Sequence, residues 1–178
     1  MKSIAARAPT ELALRNRHPH EPIDGRQLRR LALAALREPV IAPGDAAARG
    51  GHELSILIVD GQAMTALNRR WLGHEGSTDV ITFAYPPPPG GPEPSGALRG
   101  DLVISLDDAA RQARRFRTTR EAELARCLVH GLLHLRGYRD ATPPARRRMK
   151  LAEDRVLRNL ARRFDWCHPS PCATLKAC

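Results

Sequence analysis

Aromatic side chains and long apolar runs are both scarce in this sequence of 178 residues. Phe, Trp and Tyr make up only 4% of it, within a hydrophobic fraction of 42%, so a core must be built from Leu, Val, Ile and Ala. No run approaches the roughly 18 apolar residues of a membrane-spanning helix, so we expect no membrane segment. The N-terminal region lacks the apolar stretch and small-residue cleavage site of a secretion signal, so we expect a cytoplasmic protein.

Cysteine is also rare, and three of the four residues fall near the C-terminus, at positions 167, 172 and 178. A disulfide-stabilised secreted domain is not indicated, since such domains spread their cysteines through the fold. Cys127 lies in an apolar helical pattern and is expected to be a small buried residue. The C-terminal cysteines lack the spacing of a zinc knuckle, and we expect residues 165–178 to be a disordered tail.

Negative charge is the third shortage, because 19 Asp and Glu face 29 Lys and Arg, for a net charge of +10. Most of the positive residues are arginine, whose planar fork matches phosphate geometry and stacks on bases. The charge therefore favours a nucleic-acid partner. The alternative is that the arginines only reflect a high-GC genome and keep the surface soluble.

Apolar periodicity predicts a single α+β domain over residues 11–164, with a mixed sheet of about four strands and a short extension at residues 1–10. The predicted order is β-α-β-α-β-β-α-α-α. Between the third and fourth strands, residues 86–97 are rich in Pro and Gly and indicate a long surface loop. The predicted strands are Glu11–Arg15, Glu53–Asp60, Asp79–Tyr85 and Asp101–Leu106, and the predicted helix caps are Asp24, Asp60, Thr118 and Thr142.

One predicted helix carries two histidines, His130 and His134, spaced i and i+4. At this spacing they lie about 40° apart on one face of the helix. No charged residue occurs between Cys127 and Leu135, so the helix is expected to be buried almost all round. Buried imidazoles need partners, because an unpaired polar group costs about 1–3 kcal/mol.

A single zinc ion would satisfy both histidines, since the i, i+4 pair is a recurrent zinc-binding pattern. Gly137 stands where the helix must stop, and a left-handed glycine there can return Asp140 to the metal. Three protein ligands with an open fourth position are typical of catalytic zinc. Alternatively, the histidines hydrogen-bond within the core and Asp140 faces solvent.

The segment from His130 to Tyr138 reads H-G-L-L-H-L-R-G-Y and resembles the H-G-x-L-H-L-x-G-Y-D-H signature of the YbeY family of bacterial rRNA-maturation endoribonucleases. Two further blocks agree with that family. One is L-N-R-R-W from Leu67 followed by S-T-D-V-I-T-F from Ser77, and the other is G-D-L-V-I-S from Gly100. The resemblance covers about residues 10 to 160.

The resemblance implies a metal-dependent endoribonuclease directed at single-stranded RNA, with rRNA and the small ribosomal subunit as partners. Such proteins act in 3′-end maturation of small-subunit rRNA and in ribosome quality control. Their zinc is held by three histidines, of which His130 and His134 correspond to the first two. The resemblance leaves the exact cleavage site and the oligomeric state open.

Two residues depart from the family pattern. Asp140 replaces the third histidine, which keeps a possible ligand but lowers the net charge of the site by one. Leu72 stands where the family commonly has an arginine thought important for activity. Arg69 and Arg70 are candidates to supply that charge, although they differ from it in helical phase.

Two other functional classes remain open from the residues. A metzincin-type protease shares the H-x-x-x-H-x-x-G-x-x-D skeleton, but its general-base Glu would have to stand at Gly131, which argues against peptide hydrolysis. A non-catalytic ribosome-assembly factor with structural zinc would need a fourth ligand, for example a cysteine of the tail.

The expected RNA-binding surface consists of two arginine clusters, and either could be only a solvated helix face. Asp79, Thr78 and Asp101 are placed to line a cleft but serve equally well as strand-end caps, so they receive no catalytic role. The clusters are Arg111, Arg114, Arg115, Arg117 and Arg120, and Arg146 to Arg148.

Overall fold

The computed structural model describes residues 9–43, 51–86 and 96–164. Within these ranges the order of strands and helices is the expected one. The elements are β1 (Glu11–Asn16), α1 (Gly25–Ala35), β2 (Glu53–Val59), α2 (Gly61–Leu72), β3 (Val80–Ala84), β4 (Arg99–Ser105), α3 (Leu106–Phe116), α4 (Arg120–Leu135) and α5 (Pro143–Ala161). Most of the expected N-terminal extension, most of the Pro/Gly-rich loop and the expected C-terminal tail lie outside the described residues.

The four strands form one mixed sheet in the order β1-β2-β4-β3. β1, β2 and β4 are parallel, as connections through helices require. β3 pairs antiparallel with β4, with Phe83 opposite Asp101, which agrees with a hairpin-type connection through the Pro/Gly-rich segment. The α+β class and the mixed sheet of four strands are thereby confirmed.

Side chains of β4 alternate between the two faces of the sheet and divide the core. Leu102 and Ile104 join the larger cluster, which includes the buried sides of α1, α4 and α5. Val103 points to the other face and packs with Met64 of α2 and Ile81 of β3. α4 therefore lies against the sheet on one side and against other helices elsewhere, and Leu128 and Leu132 are fully buried.

Three of the expected helix caps are observed. The side chains of Asp24, Asp60 and Thr142 each accept a hydrogen bond from the backbone N–H three residues on. The expectation for α4 was wrong by one residue, because its N-cap is Thr119, whose hydroxyl accepts from the Ala122 N–H at 3.0 Å.

Thr118 is displaced from the capping role by the end of α3. Arg117 is left-handed, with φ 55°, and the Thr118 N–H bonds back to the Ala113 carbonyl. The Thr118 hydroxyl instead donates to the Glu123 carboxylate at 2.9 Å. Thr118 thus belongs to the turn that closes α3.

Among the described residues, none of the helices combines the length and the apolar character needed to cross a membrane.

Candidate metal centre

α4 can approach the sheet closely because residue 131 is glycine. A Cβ atom at Gly131 would lie 2.7 Å from Leu102 Cδ2 and 3.2 Å from Val80 Cγ2. Such separations are below normal van der Waals contact, so a larger residue would force the Leu102 and Val80 side chains or the helix to shift. Close packing therefore explains the glycine at position 131. The Glu that a metzincin-type protease would use as general base has no room at this position.

The imidazoles of His130 and His134 face each other on α4, with their Nε2 atoms 3.1 Å apart. Asp140 Oδ2 lies 3.8 Å from the first and 3.9 Å from the second. Within the described residues, these are the side chains grouped closely enough to hold a metal ion. The three residues singled out from the sequence are therefore brought together.

These three separations suit a metal ion. The nearest point that is equidistant from the three atoms lies in their plane, about 2.1 Å from each. This distance is within the 2.0–2.2 Å typical of zinc bonds to nitrogen and oxygen. Two imidazole nitrogens and one carboxylate oxygen are also an accepted donor set for zinc. The residues present thus fit the metal that the sequence pattern suggested.

The turn after α4 returns Asp140 to the histidines. Gly137 has φ 97°, the left-handed conformation expected there. Its N–H bonds to the His134 carbonyl and the Tyr138 N–H to the Leu133 carbonyl, which is the Schellman arrangement of a helix end. The reversal therefore uses a positive φ that glycine adopts without strain.

Both histidines are oriented through their Nδ1 atoms. His134 Nδ1–H donates to the Tyr138 backbone carbonyl at 3.1 Å, since a carbonyl can only accept. His130 Nδ1–H donates to Glu153 Oε2 at 2.9 Å. In these tautomers each Nε2 carries a lone pair, and two lone pairs 3.1 Å apart repel unless a cation lies between them.

Glu153 is a charged residue held in the core, with 2% of its surface exposed. Burial alone would raise the pKa of this carboxyl, but hydrogen bonds from His130 and Lys150 outweigh burial and lower the pKa. The Lys150 ammonium donates to Glu153 Oε1 at 2.9 Å. Glu153 is therefore a carboxylate at neutral pH and accepts from His130, as carboxylates behind metal-bound histidines do in many zinc sites.

The pKa of His134 is lowered, first by burial and then by the neighbouring His130. His134 is therefore neutral at physiological pH, which is the form that binds metals. The charge of Arg139 acts in the same direction.

Glu153 was missed in the sequence analysis, although a signal was present. It lies on the buried stripe of α5 with Met149, Val156 and Leu160, at helical spacings of three and four. A carboxylate on an apolar stripe needs a partner, because an unpaired buried charge is costly. One partner, Lys150, lies three residues earlier on the same helix, whereas the other, His130, is on another helix and needed the tertiary structure.

The cleft-lining candidates do not join the three clustered side chains. Asp79 pairs with Arg126 at 3.4 Å, and the Thr78 hydroxyl is 3.5 Å from the Asp79 carboxylate. Asp101 accepts from the Tyr85 hydroxyl at 2.5 Å. These contacts tie β3 to α4 and β4.

The position of the family's arginine lies at the end of α2. Leu72 is 49% exposed there. Arg70 lies over the Trp71 ring at 5.4 Å, and Arg69 is 3.9 Å from Glu75. In the described part of the chain, neither arginine has a contact with the histidines of α4.

The first arginine cluster is partly neutralised. Arg111 pairs with Asp108 at 2.7 Å, and Arg120 pairs with Glu21 at 2.7 Å and Glu121 at 3.3 Å. In the second cluster, Arg146 Nε donates to the Asp140 backbone carbonyl at 3.2 Å. Two of the five cations in the first cluster are thus already engaged by acids.

The fold and this site together define an α+β protein with a candidate His-His-Asp metal centre on a buried helix. The chain belongs to the endoribonuclease YbeY family, whose family model matches residues 14–161. The membership expected from the three sequence motifs is therefore confirmed.

Individual relatives agree with this. The chain is 44% identical over 145 residues to the endoribonuclease YbeY of Anaeromyxobacter sp. (strain Fw109-5), covering 82% of this chain and 69% of the relative. It is 34% identical over 152 residues to that of Salinibacter ruber (strain DSM 13855 / M31), covering 84% and 91%. The fold is similar to a solution structure from Thermotoga maritima, with a TM-score of 0.51 at 20% identity over 93% of this chain and 99% of that one.

Proposed function

We propose that this protein is a zinc-dependent endoribonuclease that cleaves single-stranded RNA. One zinc ion would be held by His130 Nε2, His134 Nε2 and Asp140 Oδ2. The observation that carries the proposal is the pair of Nε2 atoms 3.1 Å apart, whose rings are held by acceptors at Nδ1 so that both lone pairs face the same point. Family membership supports RNA as the substrate.

The chemistry that a bound zinc would supply is Lewis-acid polarisation of a phosphoryl oxygen and activation of water near neutral pH. The protein's own residues set the geometry for it. Glu153 and the Tyr138 carbonyl hold the two imidazole rings in place. Asp140 remains 45% exposed at its side chain, so the third donor faces solvent and leaves room for a substrate to approach.

The lack of a side chain at Gly131 is compatible with RNA cleavage. A peptide bond has no internal nucleophile, so a metalloprotease needs a general base beside its first histidine. RNA carries a 2′-hydroxyl next to each phosphodiester, and this group can attack without such a base. The close packing of Gly131 on Leu102 therefore favours a nuclease over a protease.

We further propose that the biological substrate is the precursor 3′ end of small-subunit rRNA and that the protein acts in ribosome quality control. The family supports an rRNA substrate. The net charge of +10 suits a polyanionic particle such as a ribosomal subunit.

The test combines metal analysis with cleavage of single-stranded RNA by the wild type, His134→Ala and Asp140→Ala. We expect about one zinc per wild-type chain, loss of metal and of cleavage in His134→Ala, and weakened metal binding in Asp140→Ala. Full metal content and activity in Asp140→Ala would contradict the three-ligand site. A wild type that holds zinc but leaves RNA intact would favour a non-catalytic assembly factor.

The cleavage products also identify the attacking nucleophile. A cyclic 2′,3′-phosphate on the products would show attack by the 2′-hydroxyl, and its absence attack by water.

A further inference from the structure

A groove of about 590 Å³ opens beside the turn that follows α4. This volume lies in the range of pockets that hold small ligands. Its walls come from the turn, from α5 and from the segment after α1. The lining includes four cations, Arg136, Arg139, Arg148 and Arg155, and the less polar residues Val40, Tyr138 and Leu151.

The four arginines of the groove are uncompensated. In the described ranges none of them forms an ion pair, whereas Arg111, Arg120 and Arg126 each pair with a carboxylate. No acid is among the described residues that line the groove. Four like charges around one opening repel one another and attract a polyanion, because a cleft focuses the field of the charges that line it.

The groove shares a wall with the candidate metal centre. The Tyr138 carbonyl accepts from His134 Nδ1, and Tyr138 also lines the groove. Arg139, another lining residue, directly precedes Asp140 in the chain. The groove therefore lies next to the turn that carries Asp140, although His130, His134 and Asp140 are not among its lining residues.

The apolar part of the lining narrows the choice of polyanion. Leu151 is 70% exposed, and it lies on α5 between Arg148 and Arg155. Unpaired bases and riboses offer apolar faces to such a surface, while a duplex presents mainly its phosphates. An acidic peptide would match the charge but would not need the apolar strip.

We propose that this groove binds the phosphodiester backbone and unpaired bases of single-stranded RNA that leads to the metal centre. The choice of RNA rests on the proposed function, whereas the charge and shape of the groove do not. The proposal keeps Arg148 from the second expected arginine cluster, replaces the first cluster around α3, and adds Arg136 and Arg139 after α4 and Arg155 of α5.

The experiment compares two double variants with the same change in charge. Arg148→Glu/Arg155→Glu alters the groove, and Arg26→Glu/Arg158→Glu alters two exposed arginines outside it. Binding of a fluorescent 2′-O-methyl single-stranded oligonucleotide is measured by anisotropy at several salt concentrations, in EDTA. No metal is needed and no cleavage can occur, so this result does not depend on catalysis.

We expect the groove variant to lose at least about tenfold in affinity, and its salt slope to fall by about 1.4, since each phosphate contact contributes about 0.7 for single strands. The control variant should stay within about twofold of wild type. Equal losses of oligonucleotide affinity in the two variants, or no loss in the groove variant, would overturn the proposal. A groove variant that binds a poly-glutamate peptide more weakly but the oligonucleotide as well as wild type would also overturn it. Matching circular dichroism spectra and unfolding midpoints would show that both variants fold.

Together with the cleavage test on unmodified RNA, this binding assay separates the two proposals. RNA binding that depends on the groove, together with no cleavage by zinc-loaded wild type, would support the groove and contradict the nuclease. Cleavage of RNA by the zinc-loaded wild type, together with unchanged RNA binding in the groove variant, would support the nuclease and contradict the groove.

Discussion

The buried carboxylate of Glu153 accepts a hydrogen bond from His130 Nδ1 at 2.9 Å, linking α5 to α4, the helix of the candidate metal centre. This contact sets the ring orientation of His130 and leaves its Nε2 directed at His134. Glu153 therefore controls the orientation of a candidate metal ligand, although Glu153 itself is not among the clustered donors.

Replacing Glu153 by Ala is expected to weaken zinc binding about 10- to 100-fold, because removing the hydrogen-bond acceptor behind a metal-bound histidine has effects of this size. Glu153→Gln keeps an acceptor oxygen and should lose less. The measurement is a competitive zinc titration against a chromophoric chelator. Equal affinity in the wild type and Glu153→Ala would show that the His130 ring needs no such support.

Replacing Asp140 by His is expected to keep the metal and to raise the rate of RNA cleavage. The change restores the residue type of the family's motif and raises the charge of the site by one, which makes a bound zinc a stronger Lewis acid. Single-turnover cleavage across a pH series should show the rate rising at lower pH than in the wild type. Asp140→Asn is the neutral control, and a cleavage profile for Asp140→His identical to the wild type would contradict this account of the substitution.

Replacing Gly131 by Ala is expected to reduce the free energy of unfolding by about 1–3 kcal/mol, as overpacking of a core does. The added methyl would meet Leu102 at 2.7 Å. Urea unfolding measures the loss. In a Leu102→Ala background the same change should cost clearly less, because residues in contact are coupled, and a cost that is unchanged there would place the strain elsewhere.

Stability should fall in acid partly through Asp107. The pKa of this carboxyl is lowered, first by the hydrogen bond from the Gly61 N–H and then by that from His18. A lowered pKa in the folded state means that the contribution is present above the ordinary Asp pKa of about 3.9 and is lost as pH falls through the lower folded value. Because the Asp107 side chain is 46% exposed, the effect should be modest.

The measurement is the urea midpoint from pH 6 down to about pH 2.5, a range set by that ordinary pKa. Asp107→Asn should unfold more easily than wild type at pH 6, and the difference should shrink towards the acid end. A difference that stays constant over the whole range would exclude this titration as its cause.

Local neighbours decided much of what could be predicted from the sequence. The i, i+4 spacing of His130 and His134 places them on one helix face whatever the rest of the chain does. Gly137 marks the end of that helix for an equally local reason, its access to positive φ. The alternation of apolar residues marked the strands, and all four were found close to their expected bounds.

Contacts between distant segments could not be predicted in this way. Thr118 failed as a cap because the end of α3 engages its backbone, and the role of Glu153 was overlooked because the histidine that it accepts from, His130, is on another helix. The sequence also did not show which arginines form ion pairs with carboxylates, since Arg120 meets Glu21 only after the chain has folded.

The sequence alone therefore determined the elements, the pairing of two histidines on one face of α4 and the turn that returns Asp140 to them, because hydrophobic period and backbone preference act over a few residues. The tertiary structure alone decided which side chains orient those histidines and where positive charge stays uncompensated. Both depend on how the helices pack on the sheet, and side chains far apart in the chain meet only through that packing.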